Sequence, residues 1–92
     1  MVSILGCTFP AWAGEWIQEE SGQWVYEENQ ELLKGWNRID GIWYCFGQNG
    51  YLRCGWINEN GKWYYTDSTG VMLVNTRTPD GCYVGGDGAW IQ

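Results

Sequence analysis

Histidine is absent from this sequence of 92 residues. Its absence removes the commonest general base, the commonest zinc ligand and every Ser-His or Cys-His nucleophile pair. Basic residues are also few, because five Lys and Arg stand against eleven Asp and Glu, for a net charge of -6. This charge repels phosphodiester backbones and anionic membrane surfaces. The composition therefore disfavours most hydrolytic mechanisms and argues against nucleic acid as a partner.

Long apolar runs are missing as well, and no stretch approaches the ~20 apolar residues that a membrane-spanning helix needs. A chain this short forms one domain at most and buries only ~60–65% of the surface that its unfolded form exposes. Leu, Ile, Val and Phe are sparse, whereas Trp occurs eight times, Tyr six times and Gly fourteen times. We therefore expect a folded domain with a core rich in aromatic side chains, no large catalytic cavity and no cofactor.

The first fourteen residues differ from the rest. Residues 2–10 are uncharged and mostly apolar, and Ala11-Trp12-Ala13 has the small-x-small form of a signal-peptidase site. Two interpretations have about equal weight. Residues 1–14 are either the remnant of an export signal, which would make the protein secreted, or an ordinary hydrophobic N-terminal strand.

The four cysteines are Cys7, Cys45, Cys54 and Cys82. No pair has the spacing of a zinc ribbon or a redox dithiol, so the sequence predicts no metal site. Export would permit disulfides, and four cysteines allow three pairings. A turn over residues 47–50 would place Cys45 opposite Leu52 rather than Cys54. We therefore expect unpaired, partly buried thiols.

A repeat of twenty residues dominates the rest of the chain. Alignment on tryptophan superimposes residues 35–54 on residues 55–74, and residues 15–34 keep the same length. Residues 75–92 form a shorter unit without the leading tryptophan. Terminal units of a repeat array are expected to be atypical because they cap the stack. The sequence thus predicts a repeat domain of about four units over residues 15–92.

Turn signals fall about every ten residues within these units. Asn-Gly, Asp-Gly and related pairs favour hairpin turns, and the runs between them have the aromatic content of strands. An isolated hairpin is only marginally stable, so the units must stack. The prediction is an all-β solenoid of hairpins. The turn pairs are Ser21-Gly22, Asp40-Gly41, Asn49-Gly50, Asn60-Gly61, Thr69-Gly70, Asp80-Gly81 and Asp87-Gly88.

The repeated motif resembles the choline-binding, or cell-wall-binding, repeat of Gram-positive bacteria and their phages. That repeat reads roughly GW, a short polar loop, G-x-WYYF-D-x-x-G-x-M, and then the next GW. The resemblance covers about four-fifths of the chain. The best-matching unit contributes Gly55-Trp56, Gly61, Trp63-Tyr64-Tyr65, Asp67, Gly70 and Met72, and the unit before it contributes Gly35-Trp36, Gly41, Trp43-Tyr44, Phe46, Gly50 and Leu52.

The resemblance implies a left-handed superhelix of β-hairpins that anchors secreted proteins non-covalently at the cell surface. The implied ligands are the choline groups of teichoic or lipoteichoic acid. Related twenty-residue repeats in clostridial toxins and glucosyltransferases bind carbohydrate instead. The repeat type alone therefore leaves choline and a glycan as alternative partners.

A quaternary ammonium is bound by a cage of aromatic faces, and tryptophan forms the best wall. The resemblance implies cages between consecutive hairpins, each with the GW and WYY tryptophans of one unit and an aromatic residue of the next. Trp36, Trp43 and Tyr65 form the most complete set. Trp16 and Trp24 would need an aromatic residue at position 45, where cysteine stands. Trp56 and Trp63 would look to position 85, a glycine, or else to Tyr83 or Trp90.

Aromatic residues at fixed spacing in a repeat protein are more often core than ligand cage. We therefore expect Tyr44, Tyr64 and Val84 to be structural. Three functions remain open: a non-catalytic module that binds choline-bearing cell wall, a carbohydrate-binding repeat, and a structural stalk. An enzyme is the poorest interpretation, because hairpin stacks seldom provide the cleft that a pair of catalytic carboxylates needs. The sequence leaves open whether the chain forms a homo-oligomer.

Overall fold

The computed structural model describes residues 14–92. The expected export signal or N-terminal strand, and Cys7 with it, lie outside the described residues. Over residues 14–92 the chain forms nine short β-strands and no helix. The strands are β1 (Glu15–Gln18), β2 (Trp24–Glu28), β3 (Glu31–Leu32), β4 (Gly35–Ile39), β5 (Ile42–Phe46), β6 (Gly55–Glu59), β7 (Lys62–Thr66), β8 (Thr76–Arg77) and β9 (Tyr83–Val84).

The strands pair as four antiparallel hairpins. Hairpin one is β1–β2, with β3 added at its edge, and hairpins two, three and four are β4–β5, β6–β7 and β8–β9. In the first three hairpins the tryptophan of the first strand pairs with the residue two positions after the tryptophan of the second strand. The pairs are Trp16 with Tyr26, Trp36 with Cys45 and Trp56 with Tyr65. The predicted all-β stack of hairpins is confirmed.

The hairpin turns follow the pairs identified in the sequence. Asp40 and Gly41 have φ values of 51° and 83°, and Asn60 and Gly61 have values of 53° and 87°. Two consecutive residues with positive φ are the signature of the type I′ turn, which matches the twist of the flanking strands. The glycine of every other predicted turn pair also has a positive φ.

A repeated backbone hydrogen bond joins each of the first three hairpins to the loop segment that comes after the next hairpin in the chain. The N–H groups of Leu52, Met72 and Trp90 donate to the carbonyls of Trp24, Trp43 and Trp63, at 2.8, 3.1 and 2.8 Å. Each bond therefore crosses a junction between two hairpins. The following residue bonds within its own unit, because the N–H groups of Arg53, Leu73 and Ile91 donate to the carbonyls of Cys45, Tyr65 and Tyr83.

The buried core is small and runs along the stack, whose principal extents are 49 × 26 × 21 Å. Thr66 stands where hairpin two has Phe46, and its hydroxyl donates to the carbonyl of Arg53 at 2.8 Å. This bond satisfies a polar group that is otherwise costly to bury. The buried apolar residues are Ile17, Val25, Ile39, Cys45, Phe46, Ile57 and Val84.

The described cysteines are free thiols: Cys45 is buried, Cys54 exposed and Cys82 partly buried. The predicted register opposite Leu52 was wrong by one residue. Phe46 pairs with Leu52, because the N–H of Gly47 bonds to the carbonyl of Tyr51 and closes the turn around Gly47 and Gly50. In residues 14–92 no cluster of three potential metal ligands occurs, and no helix has the length and apolarity to cross a membrane.

Candidate ligand-binding site

Alternation along the strands divides each hairpin into two faces. Residues that stand opposite each other share a face, and so do residues two apart on one strand. On hairpin two, Trp36 and Trp43 therefore lie on one face, which we call the tryptophan face, whereas Tyr44 and Phe46 lie on the other. The tryptophan face of one hairpin packs against the opposite face of the next, and the space between them is a junction.

The first junction contains an open pocket of about 470 Å³. The ring centroids of Trp16 and Trp24 are 6.4 Å apart with an interplanar angle of 79°, so the two indoles meet at nearly a right angle. Tyr44 of hairpin two lies 4.9 Å from Trp16, again edge to face. Leu52 completes the apolar wall, and Ser68 and Thr69 border the pocket from the loop after hairpin three.

Thr69 is held at this pocket by Asp67. The Oδ1 atom of Asp67 accepts hydrogen bonds from the N–H and the hydroxyl of Thr69, at 2.9 and 2.6 Å, and from the N–H of Val71 at 3.0 Å. Partial burial acts to raise the pKa of Asp67, but these hydrogen bonds outweigh it and lower the pKa below its ordinary value. An ionised Asp67 therefore fixes the loop that borders the first pocket.

The second junction repeats the same arrangement one unit later. The ring of Tyr64 in hairpin three lies 5.5 Å from that of Trp36, at an angle of 64°. Trp43 shares the tryptophan face with Trp36 and is 40% exposed. Met72 occupies the place of Leu52, because its N–H donates to the carbonyl of Trp43.

The third junction has a pocket of about 340 Å³ lined by Trp56, Trp63, Trp90, Asp80 and Cys82. Trp90 lies 6.0 Å from Trp56 and occupies the place of Leu52 and Met72. The Oδ2 atom of Asp80 accepts a hydrogen bond from the indole N–H of Trp56 at 3.1 Å. The hydroxyl of Thr78 donates to the other carboxylate oxygen, and these two bonds, that of Thr78 first, lower the pKa of Asp80.

The structure brings together each predicted pair of tryptophans on one face, but it does not bring Tyr65 to Trp36. Tyr65 stands opposite Trp56 on its own hairpin, with the rings 5.1 Å apart, so it faces the third junction. Cys45 likewise lies on the tryptophan face of hairpin two, and Tyr44 enters the first junction in its place. The residue next to the expected one reaches across because side chains alternate along a strand.

Sequence reasoning missed several pocket residues. Tyr44 and Tyr64 were predicted to be structural only, yet both contact a tryptophan across a junction. Leu52, Met72 and Asp80 were not proposed as site residues. The period-two alternation of the strands would have identified the two tyrosines. Val84 is fully buried, as expected for a structural residue.

Comparison with known proteins shows that the chain is similar to proteins with choline-binding repeats. Residues 33–76 match the choline-binding repeat family. The choline-binding domain of Spr1274 from Streptococcus pneumoniae is 34% identical with a TM-score of 0.75, and the match covers 84% of this chain and 93% of that domain. No curated protein matches the chain.

A second similar structure is the multimodular pneumococcal cell-wall endolysin of phage Cp-1 complexed with choline. It is 31% identical with a TM-score of 0.77 over 90% of this chain. The same endolysin complexed with a peptidoglycan analogue has a TM-score of 0.78. The chain spans only 26% of the endolysin's length.

Proposed function

This chain belongs to the choline-binding repeat family, and from that membership we propose that residues 15–92 form a non-catalytic module that binds choline-bearing cell-wall polymer. The polymer is teichoic or lipoteichoic acid, and the choline headgroups enter aromatic cages at the junctions between hairpins. The module acts outside the cell, at the surface of a Gram-positive bacterium.

The observation that carries this proposal is the shape of the first pocket. Trp16, Trp24 and Tyr44 present ring faces and edges at steep angles around one space. A trimethylammonium group is attracted by ring quadrupoles, and its methyl groups are desolvated against aromatic carbon, with about 0.5–2 kcal/mol for each such contact. The net charge of -6 also favours a cationic ligand.

The repeat of the geometry supports a cage at each junction. The second combines Trp36 and Trp43 with Tyr64, and Met72 is tied to Trp43 by a backbone hydrogen bond. The third combines Trp56 and Trp63 with Trp90. Since the same inter-hairpin bond positions Leu52, Met72 and Trp90, one backbone scheme holds an apolar closing side chain at all three junctions.

A carbohydrate-binding repeat is the alternative from a different ligand class. Sugar rings stack on flat aromatic surfaces, whereas the rings of Trp16 and Trp24 stand nearly perpendicular. Walls at this angle enclose a compact cation better than they support a sugar ring. The geometry therefore favours choline over a glycan.

Retention of the purified chain on an immobilised-choline resin, with elution by free choline, tests the proposal. Choline is also expected to raise the melting temperature, because a ligand that binds only the native state stabilises it by RT ln(1 + [L]/Kd). If an oligosaccharide raises the melting temperature and choline leaves it unchanged, the result would support the carbohydrate-binding alternative instead. Release of muropeptides from cell walls by the pure chain would refute the non-catalytic role.

The substitution Trp43→Leu tests the cages themselves. It keeps apolar bulk but removes the π face, so calorimetric titration is expected to show roughly a three- to tenfold weaker choline site at the second junction. Ile42→Ala is the matched control, because Ile42 is as exposed as Trp43 (39% against 40%) but points to the other face. Unchanged choline titration in folded Trp43→Leu protein would exclude this junction as a site.

A further inference from the structure

The third junction differs from the first in the chemistry of its lining. The first pocket is bordered by aromatic rings, Leu52 and the hydroxyl-bearing Ser68 and Thr69. The third pocket combines three indoles with the carboxylate of Asp80 and the thiol of Cys82. Asp80 is thus a fixed negative charge at the edge of an aromatic pocket.

A change of turn type explains why Asp80 reaches this pocket. Hairpins two and three close with two-residue turns at Asp40-Gly41 and Asn60-Gly61, in which both residues have positive φ. In hairpin four the N–H of Gly81 donates to the carbonyl of Thr78, with Pro79 between them, and Gly81 alone has a positive φ. Proline favours the first central position of a type I turn, and the left-handed glycine that follows forms a bulge.

Two hydrogen bonds then fix the orientation of the Asp80 carboxylate. Thr78 donates to one oxygen and the indole N–H of Trp56 to the other. A carboxylate oxygen can accept more than one hydrogen bond, so both oxygens of Asp80, which lines the pocket, keep free acceptor capacity. The equivalent indole nitrogen of Trp36 has no hydrogen-bond partner among the described residues.

The basic residue of this hairpin does not offset the charge on the pocket side. Arg77 pairs with Tyr83, and neither residue lines the third pocket, whereas Cys82, which directly precedes β9, does line it. The guanidinium of Arg77 donates to the carbonyl of Gly81 at 3.0 Å and lies 5.9 Å over the ring of Tyr83. The pocket therefore presents a carboxylate and aromatic rings to its ligand.

We propose that Asp80 makes the third pocket selective for free organic cations, such as choline itself, over the same cation carrying a phosphate. This inference rests on the proposed choline-binding function and assigns one of its sites a distinct ligand preference. The carboxylate attracts the ammonium group and accepts a hydrogen bond from a hydroxyl or N–H on the ligand. A phosphate ester carries about -1.5 to -2 charges at neutral pH and is repelled by the same carboxylate.

Cys82 provides a site-specific readout in the native chain. A ligand seated between Trp56, Trp63 and Trp90 covers the Cys82 thiol, so it is expected to slow alkylation of Cys82 by iodoacetamide. Peptide mass mapping measures this rate residue by residue. Cys54, an exposed thiol that does not line the third pocket, serves as the internal control.

In the wild-type chain, choline is expected to half-protect Cys82 at a concentration about fivefold or more below that of phosphocholine, because charges of like sign repel even in a solvent-exposed site. In Asp80→Asn the preference is expected to fall below about twofold, since the amide keeps an acceptor oxygen but has no charge. Asp40→Asn is the matched control: it removes one charge at the corresponding turn position of hairpin two, and it is expected to keep the wild-type preference.

Equal protection by choline and phosphocholine in the wild-type chain would overturn the inference without any variant. Loss of the preference in Asp40→Asn as well would also overturn it, because net charge would then be the cause. If choline raises the melting temperature but leaves Cys82 unprotected, the proposed function stands and this inference falls. If choline neither raises the melting temperature nor protects Cys82, the proposed function itself is refuted.

Discussion

Asp67 shows how a single side chain shapes the binding surface. Its carboxylate accepts hydrogen bonds from the N–H groups of Thr69 and Val71 and from the hydroxyl of Thr69. Thr69 borders the first pocket. In the preceding unit Asn49 has a comparable role, because its Oδ1 atom accepts from the N–H of Tyr51 at 3.0 Å. In hairpin three's unit this bond therefore depends on a titrating carboxylate, as does the bond from the N–H of Ala89 to Asp87 in the last unit, whereas in hairpin two's unit it depends on a neutral amide.

The lowered pKa of Asp67 predicts a pH-dependent contribution to stability. A carboxyl group whose folded pKa lies below its unfolded value of about 3.9 stabilises the fold above that value, and the contribution is lost as pH falls through the folded pKa. Asp67→Asn is therefore expected to lower the melting temperature at neutral pH and to match wild type at the acid end. Melting curves at several pH values check this, and a difference that is constant from neutral pH to below pH ~3 would contradict it.

The same scale shows where prediction from sequence succeeded and failed. Both tryptophans of each predicted pair lie on one face of their hairpin, because the repeat spacing and the hairpin turns define the strand register. The neighbouring residue was misassigned by one position: Tyr65 was expected where Tyr64 lies, and position 45 where Tyr44 lies. A one-residue error moves a side chain to the opposite face of a strand. Recognition of the family motif thus located the strands but not the face of each aromatic side chain.

At the scale of secondary structure, glycines in the loops set the distance between units. Gly70 has a φ of 86°, and a Cβ atom there would lie 2.5 Å from the Cδ2 atom of Leu52 in the preceding unit. Gly61 has nearly the same φ, 87°, but a Cβ atom there would meet nothing within 4 Å. The two positions therefore differ in packing across a junction, whereas their φ values are nearly the same.

This pair predicts a graded loss of stability. Gly61→Ala is expected to cost about 1–2 kcal/mol, because a Cβ atom is strained at positive φ. Gly70→Ala adds a clash with Leu52 and is expected to cost about 1–3 kcal/mol more. Chemical denaturation of both variants measures the difference. Equal losses would mean that Leu52 moves aside freely and that the junction is not tightly packed.

The turn pairs were the most predictable elements, since every glycine in them adopts a positive φ. The turn of hairpin four was identified by its Asp80-Gly81 pair, but its shape was not. Pro79 and Thr78 convert it from the two-residue form of hairpins two and three to a longer turn, and this conversion brings Asp80 to Trp56. The contact joins residues 24 positions apart, so local turn rules could not reveal it.

Residues 14–92 form a stack in which each hairpin contacts its neighbours, and the described strands form sheets within their own unit, with the single bridge Tyr64–Ala89 between units. In such a repeat protein, stability is approximately a sum of unit terms and nearest-neighbour interface terms. The proposed cages lie at the interfaces. Choline should therefore act on the junctions, where it binds only hairpins that remain stacked.

Native-state hydrogen exchange with and without choline tests this expectation. The amides of Leu52, Met72 and Trp90 bond across junctions, whereas those of Arg53, Leu73 and Ile91, each one residue later, bond within their own units. If hairpins separate before they unfold, choline at ten times its Kd is expected to slow exchange of the first set by about tenfold, as binding linkage requires. The second set is expected to slow less, because its hydrogen bonds persist in an unstacked hairpin. Equal slowing of both sets would show instead that the stack opens only by unfolding as one cooperative unit.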